Sequence, residues 1–146
     1  MSRVVVVGRA ALLAPLRPLP LAPVAVPAGF PSPAEGWITD ELDLNEHLVK
    51  DRTATMFVRV SGDSMEPAGI SHGDVLIVDR SLRPVHDDIV IAVLDGELTV
   101  KRLWISPRGV TLHADNPRYP DLHVGELSAL SIYGVVRTSL HVFTSR

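Results

Sequence analysis

The chain has 146 residues, of which 46% are hydrophobic and 21% charged, and its formal net charge is −3. This length and composition predict one folded domain, exclude wholesale disorder and argue against nucleic-acid binding through a basic surface. The absence of cysteine excludes disulfides, thiolate zinc sites and cysteine nucleophiles.

The first 28 residues differ in composition from the rest of the chain. They carry three arginines and no acidic residue, whereas all 17 acidic residues follow. Seven of the 12 prolines lie within residues 1–33, which favours an extended, polyproline-like arm with one strand at residues 4–7. A secretory signal peptide is the alternative, but Arg9, Arg17 and the prolines interrupt the apolar run that it needs.

No segment approaches the roughly 20 apolar residues of a transmembrane helix, and we expect a cytoplasmic protein.

Beyond the arm, the sequence predicts one short helix and a series of strands. Asp43 and Glu46 have the Asp-x-x-Glu spacing of a capping box, which predicts a helix over residues 44–50. Segments rich in valine, isoleucine, leucine and aromatic residues predict strands at 56–60, 75–78, 88–94, 97–104, 110–113 and 132–143. The expected fold is mainly β: a compact antiparallel, barrel-like folded sheet with one short helix and an extended N-terminal arm.

The dipeptide Asp95-Gly96 is typical of a type I′ turn between two strands. A two-residue hairpin at this position pairs Val90 with Lys101. Residues that face each other across such a ladder share one side of the sheet, so Lys101 would stand beside Val90 and Ala92. The lysine is therefore predicted to have small and apolar neighbours rather than charged ones.

The segment Ser61-Gly62-Asp63-Ser64-Met65 directly follows a predicted strand. A small, glycine-containing turn there can expose a hydroxyl group and direct neighbouring N–H groups at one point, as in an oxyanion hole. A serine nucleophile needs a base, and a buried lysine can serve because burial lowers its pKa from about 10.4. Spacing alone does not select Ser64 and Lys101 as partners, since a serine in a turn and a lysine in a strand are more often structural.

Three separated segments follow one another in a characteristic order. They are FVRVSGDSM at residues 57–65, GISHGDVLIVD at residues 69–79 and GELTVKR at residues 96–102. Together they resemble the LexA/UmuD family of self-cleaving peptidases. The resemblance extends from about residue 28 to the strand at residues 134–136 and is nearest to the UmuD proteins of the SOS response. It implies a LexA-like peptidase domain.

The resemblance also implies a serine–lysine dyad and a substrate within the same chain. Ser64 matches the nucleophile of the family, and Lys101 matches the general base. The family cuts its own chain at an Ala-Gly or Cys-Gly bond, and Ala28-Gly29 matches that bond. The expected product is the chain without residues 1–28.

The oxyanion formed in such a cut would lie at the backbone N–H of Ser64, with support from that of Asp63 or Met65. Each of the two neighbours also has a structural interpretation. Asp63 is expected to fix the turn through local N–H groups, and Met65 to line the site or the core.

The resemblance divides the chain into three parts. Residues 1–28 are an arm removed by self-cleavage, residues 29–50 are a linker with the short helix, and residues 51–146 are the peptidase and dimerisation domain. In the family, a RecA filament on single-stranded DNA stimulates the cut. The shortened homodimer then assists the catalytic subunit of an error-prone translesion DNA polymerase. We expect no cofactor, no sequence-specific DNA binding and no membrane partner.

The remaining polar and aromatic candidates are interpreted as structural. The histidines show no paired metal-ligand spacing, and we predict solvated loop or edge positions for them and no metal site. Asp74, Asp79 and the pair Asp87-Asp88 are interpreted as turn and strand-end residues. Packing or interface roles are predicted for Trp37 and Trp104. The histidines are His47, His72, His86, His113, His123 and His141.

Two alternatives to self-processing remain open. One is a non-cleaving binding module of the same fold that regulates a polymerase or a repressor partner. The other is a peptidase that acts on other chains with a similar dyad. The joint presence of Ser64, Lys101 and Ala28-Gly29 favours self-processing over the binding module.

Overall fold

The computed structural model describes residues 3–10, 18–21, 40–125 and 130–146. Within these ranges the chain forms ten strands and one short α-helix. The strands are β1 (Arg3–Arg9), β2 (Pro18–Leu21), β3 (Asp40–Asp43), β4 (Thr55–Ser61), β5 (Val75–Asp79), β6 (Ile89–Leu94), β7 (Glu97–Ser106), β8 (Gly109–His113), β9 (Leu122–Val124) and β10 (Leu130–Leu140); the helix is α1 (Leu44–Leu48).

Eight of the strands form one antiparallel sheet in the order β1-β4-β5-β10-β6-β7-β8-β9. The sheet curls, so that β1 at one edge also lies against β7. β-Branched residues are frequent in β4, β5 and β6, where their side chains pack well on a pleated surface. The predicted mainly β, antiparallel, barrel-like fold with one short helix is confirmed.

Apolar side chains fill both faces of the curled sheet. One cluster includes Val58, Val60, Leu76, Ile91 and Val100 from four central strands. A second cluster lies on the other face and joins β6, β7, β8 and β10; its buried members are Val90, Ala92, Leu103, Leu112 and Val135. Because β6 and β7 contribute to both clusters, their side chains are buried on both faces.

The β6–β7 hairpin has the predicted register. Asp95 and Gly96 have φ angles of 50° and 83°, and a type I′ turn requires positive φ at both central residues. Val90 pairs with Lys101 across the ladder. The turn therefore places Lys101 in the middle of the sheet, on the same face as Ala92.

The helix begins as predicted and ends two residues early. The side chain of Asp43 accepts a hydrogen bond from the N–H of Glu46 at 3.1 Å, which caps the first turn. The prediction of a helix through residue 50 is wrong, because Val49 is extended and buries its side chain. None of the helices in the described ranges is both long and apolar enough to cross a membrane.

Several strand boundaries also differ from the prediction. β1 is longer than residues 4–7, and β10 ends at Leu140 rather than at residue 143 because its last partner is Val75, the first residue of β5. The sequence pattern does not indicate the short strands β2, β3 and β9. β2 and β3 form a separate antiparallel pair, in which Pro18 pairs with Asp43 and Leu21 with Asp40.

Candidate active site

Ser64 lies in the turn that follows β4. Gly62 has a φ of 104°, a conformation that favours glycine, and its N–H donates to Nδ1 of His72 at 3.0 Å. A 3₁₀ turn over Glu66–Ala68 follows the serine. The hydroxyl group is thereby held at the end of a sheet strand, and the Ser64 side chain is fully buried.

Lys101 reaches Ser64 from the middle of β7. Its Nζ donates a hydrogen bond to the Ser64 Oγ at 3.1 Å, and the lysine is only 1% exposed. Burial lowers the pKa of Lys101 below its ordinary value of 10.5, because the charged ammonium is poorly solvated there. A neutral amine at this distance can accept the serine proton, which is the chemistry of base-assisted nucleophilic attack.

A loop after β8 holds the turn that carries Ser64. The backbone N–H of Asn116 donates to the Ser64 carbonyl at 3.0 Å, and its Nδ2 donates to the Asp63 carbonyl at 3.1 Å. The Tyr119 hydroxyl donates to the Asp63 carboxylate, and this hydrogen bond raises the pKa of Tyr119. Three hydrogen bonds therefore link this loop to Asp63 and Ser64.

The same loop is tied to the strand that carries the lysine. Arg102, the neighbour of Lys101, forms a two-pronged ion pair with Asp115 at 2.9 and 2.7 Å. The pair lowers the pKa of Asp115 and raises that of Arg102, because each charge is hydrogen-bonded to its opposite. The N–H of Asp115 also contacts the Met65 sulfur at 3.4 Å. The loop thus connects β7 to both neighbours of Ser64.

Asp74 supports the β4 side of the turn. Its backbone carbonyl accepts from the N–H of Val60 at 2.9 Å. Burial of its carboxyl group opposes ionisation, but hydrogen bonds from the Ser71 N–H, the His141 ring and the Ser139 hydroxyl outweigh burial, so the pKa of Asp74 lies below its ordinary value of 3.8. A charged carboxylate therefore stabilises this corner of the fold.

The structure brings together two of the residues predicted for the site and does not describe two others. Ser64 and Lys101 lie within hydrogen-bond distance, whereas Ala28 and Gly29 lie outside the described residues. The Asp63 carboxylate fixes its own turn through Tyr119, and the Met65 side chain belongs to the buried core. The oxyanion roles of the backbone at residues 63 and 65 stay predictions.

Sequence reasoning missed three residues that contact the Ser64 turn. The sequence predicts only a solvated position for His72, and it assigns no role to Asn116 or Tyr119. The dipeptide Asn116-Pro117 does signal a turn. No local pattern indicates that this turn contacts Asp63, which is 53 residues away in sequence.

The other candidates have structural surroundings. Within the described part of the chain, no three metal-ligating side chains converge. Asp79 accepts a hydrogen bond from the Ser81 N–H at 2.8 Å. Trp104 stacks on His113 with ring centroids 3.8 Å apart, and His113 is half-buried while the other histidines are exposed. Trp37 lies outside the described residues.

A cleft of about 520 Å³ opens beside β7. Its apolar wall includes Leu94, Leu98 and Leu122, and Arg3 also lines it. The cleft reaches Thr99, which precedes Lys101 by two residues on the same face of the strand. It is large enough to hold several side chains of an extended segment.

Comparison with known proteins gives consistent matches over most of the chain. The Peptidase S24-like family matches residues 20–137, a stretch that contains Ser64 and Lys101. Protein SamA of Salmonella typhimurium is 48% identical over 122 residues, which cover 84% of each protein. Protein MucA of Escherichia coli is 46% identical over 116 residues, which cover 79% of each protein. The LexA repressor of Verrucomicrobium spinosum is 41% identical over 102 residues, which cover 66% of this chain and 48% of the repressor. The chain therefore belongs to the Peptidase S24-like family.

Proposed function

We propose that this protein is a self-processing serine peptidase that cuts its own Ala28-Gly29 bond. Ser64 is the nucleophile and Lys101 is the general base. The observation that carries the proposal is the 3.1 Å hydrogen bond between the lysine Nζ and the serine Oγ, in surroundings that lower the lysine pKa. Membership in the Peptidase S24-like family supports the same chemistry.

The reaction proceeds in two stages that regenerate the dyad. The neutral Lys101 amine takes the Ser64 hydroxyl proton while Oγ bonds to the carbonyl carbon of Ala28. The resulting oxyanion collapses, the bond to the Gly29 nitrogen breaks, and the lysine ammonium gives its proton to that nitrogen as it leaves. Water then attacks the ester, with Lys101 again as base, and releases the Ala28 carboxyl group and the Ser64 hydroxyl.

The turn around Ser64 supplies the second requirement, which is stabilisation of the oxyanion. We assign the oxyanion to the N–H of Ser64, with Asp63 or Met65 as the supporting N–H. The hydrogen bonds from Asn116 and Tyr119 restrain this turn, and preorganised donors stabilise developing charge better than mobile ones do.

The arm acts as a tethered substrate in this proposal. A substrate on the same chain is presented at a high effective concentration, so the cut needs no bimolecular encounter. The cleft beside β7 offers an apolar wall at Leu94 and Leu98, which suits the apolar residues 24–28 that precede the bond. In this proposal the cut separates the arm, residues 1–28, from the rest of the chain, in which residues 29–50 are the linker with its helix and residues 51–146 the peptidase and dimerisation domain.

We further propose a role in the SOS response, in the cytoplasm. A RecA filament on single-stranded DNA stimulates the cut, and the shortened homodimer serves as the accessory subunit of an error-prone translesion DNA polymerase. The support for this part is the resemblance of the motifs to the UmuD proteins, together with 48% and 46% identity to SamA and MucA over most of the chain.

Mass spectrometry of the purified full chain tests the proposed cut. Alkaline pH increases the neutral fraction of Lys101, so the chain should lose residues 1–28 faster there, at a rate independent of protein concentration. Ser64→Ala and Lys101→Ala should prevent the loss, and Gly29→Val should block it with the dyad intact. Addition of RecA and single-stranded DNA together should accelerate the cut, with each alone as control.

The alternatives predict different outcomes of this experiment. A rate that grows with protein concentration would indicate cleavage between chains. Equal persistence of the wild-type and Ser64→Ala chains, both at alkaline pH and with RecA filaments, would refute the peptidase and leave the binding module.

A further inference from the structure

The arm contributes a strand to the main sheet. β1 pairs with β4 in an antiparallel ladder that runs from Arg3, opposite Ser61, to Arg9, opposite Met56. Val4 is 6% exposed and packs into the same apolar cluster as Val58 and Val60. Residues 3–9 of the segment before the proposed cut therefore belong to the main sheet.

A second pairing links the arm to the chain beyond the cut. β2, before Ala28-Gly29, pairs with β3, which follows that bond in sequence. Both arm strands thus have partners on the far side of the proposed cut, and neither pairing includes the bond itself. Breaking the bond removes no backbone hydrogen bond from either ladder.

We propose that residues 1–28 stay bound to the rest of the protein after the cut, as a noncovalent strand whose receptor is the edge of β4. This inference rests on the proposed self-cleavage for its biological meaning. The receptor fits an extended segment with small β-branched residues at alternate positions. Val4 and Val6 meet the core, whereas Val5 and Val7 face outward with 61% and 48% exposure.

The energetics of the sheet edge favour retention. Loss of β1 would make β4 an edge strand, with a partner only on the β5 side, and would uncover Val58 and Val60, which are 0% and 2% exposed in the folded chain. Both costs disappear when β1 remains in place. The shortened form therefore becomes free of the arm only when β1 leaves the edge of β4, and a strand that takes the place of β1 would favour this release.

The test separates retention of the arm from self-cleavage. A full-length Ser64→Ala chain in which residues 24–29 are replaced by the recognition sequence of a site-specific protease is cut by that protease in native buffer. Size-exclusion chromatography with mass spectrometry of each peak then follows the arm. We expect the arm to elute with the body in native buffer and apart from it in denaturant.

Two neighbouring valines give a matched pair of variants. Val4→Asp places a carboxylate in the apolar cluster and should lower the retained fraction of the arm by about tenfold or more, whereas Val5→Asp on the outward face should retain it. Circular dichroism of the uncut chains checks that they fold. If Val4→Asp does not fold, Val4→Ala takes its place, with a smaller loss expected.

Each result decides one proposal. An arm that elutes alone after the cut, or equal retention by the Val4→Asp and Val5→Asp chains, would overturn the inference about the β4 edge. Failure of the wild-type chain to cut itself would overturn the proposed function and leave the retention experiment intact, because the added protease makes the cut there.

Discussion

Replacement of Lys101 by methionine should stabilise the fold while it abolishes self-cleavage. The lysine is 1% exposed and pairs with Val90, and its ammonium form is penalised by burial. Methionine has a similar length, carries no charge and adapts to apolar surroundings. The substitution removes the penalty and keeps the packing.

The pH dependence follows from the direction of the pKa shift. The folded chain binds the Lys101 proton less tightly than the unfolded chain does, so unfolding takes up a proton between the lowered pKa and the ordinary value of 10.5. The free energy of unfolding of the lysine chain therefore rises with pH in that interval, by up to about 1.4 kcal/mol per pH unit, and levels off above it. The advantage of methionine is largest at neutral pH and shrinks as the pH rises.

Urea unfolding monitored by circular dichroism, from neutral pH to above 10.5, measures this difference. Both chains carry Ser64→Ala so that neither cuts itself. Other titrating groups cancel in the comparison, and Lys50→Met is the control because that lysine is exposed. A Lys101→Met chain that is no more stable at neutral pH, or an advantage that does not change with pH, would refute the reasoning.

Three further predictions concern Tyr119 near the site, Gly134 in the sheet and the buried Asp74. Tyr119→Phe removes a hydrogen bond to the Asp63 carboxylate and should slow self-cleavage by about tenfold, while circular dichroism shows that the chain still folds. An unchanged rate would contradict the idea that Tyr119 restrains the turn that carries Ser64. Gly134→Ala would place a Cβ 2.5 Å from Val78 Cγ1, so urea unfolding should show a loss of about 1–3 kcal/mol. The loss should be smaller when both compared chains carry Val78→Ala, which removes that methyl group, and equal stability of the Gly134→Ala and wild-type chains would be the contrary result. Asp74→Asn should lower the free energy of unfolding by about 1–3 kcal/mol at neutral pH. The difference from the wild-type chain should shrink as the pH falls below 3.8, because the Asp74 carboxylate becomes protonated there. A difference that persists in acid would argue against stabilisation by a charged Asp74.

Local sequence patterns predict the β6–β7 hairpin correctly, because a single turn determines its geometry. The Asp95-Gly96 turn determines the register of its hairpin, and alternation along the strand then places Lys101 on the face of Val90 and Ala92. The end of α1 and the strand β9 were not predictable in this way. α1 ends where Val49 becomes extended, with its side chain buried, and β9 has only three residues and exists through its pairing with β8.

The mainly β class and the hairpin that carries Lys101 follow from local sequence patterns, and the motifs identify Ser64 as the partner of that lysine through family resemblance. The contact itself, 3.1 Å between two side chains that are 37 residues apart in sequence, is visible only in the folded chain. The same is true of the hydrogen bonds by which Asn116 and Tyr119 hold the turn that carries Ser64. Turns and alternation depend on neighbouring residues, whereas these contacts depend on how the whole sheet curls. Burial of Lys101, and with it the lowered pKa on which the proposed chemistry depends, arises from the same long-range packing.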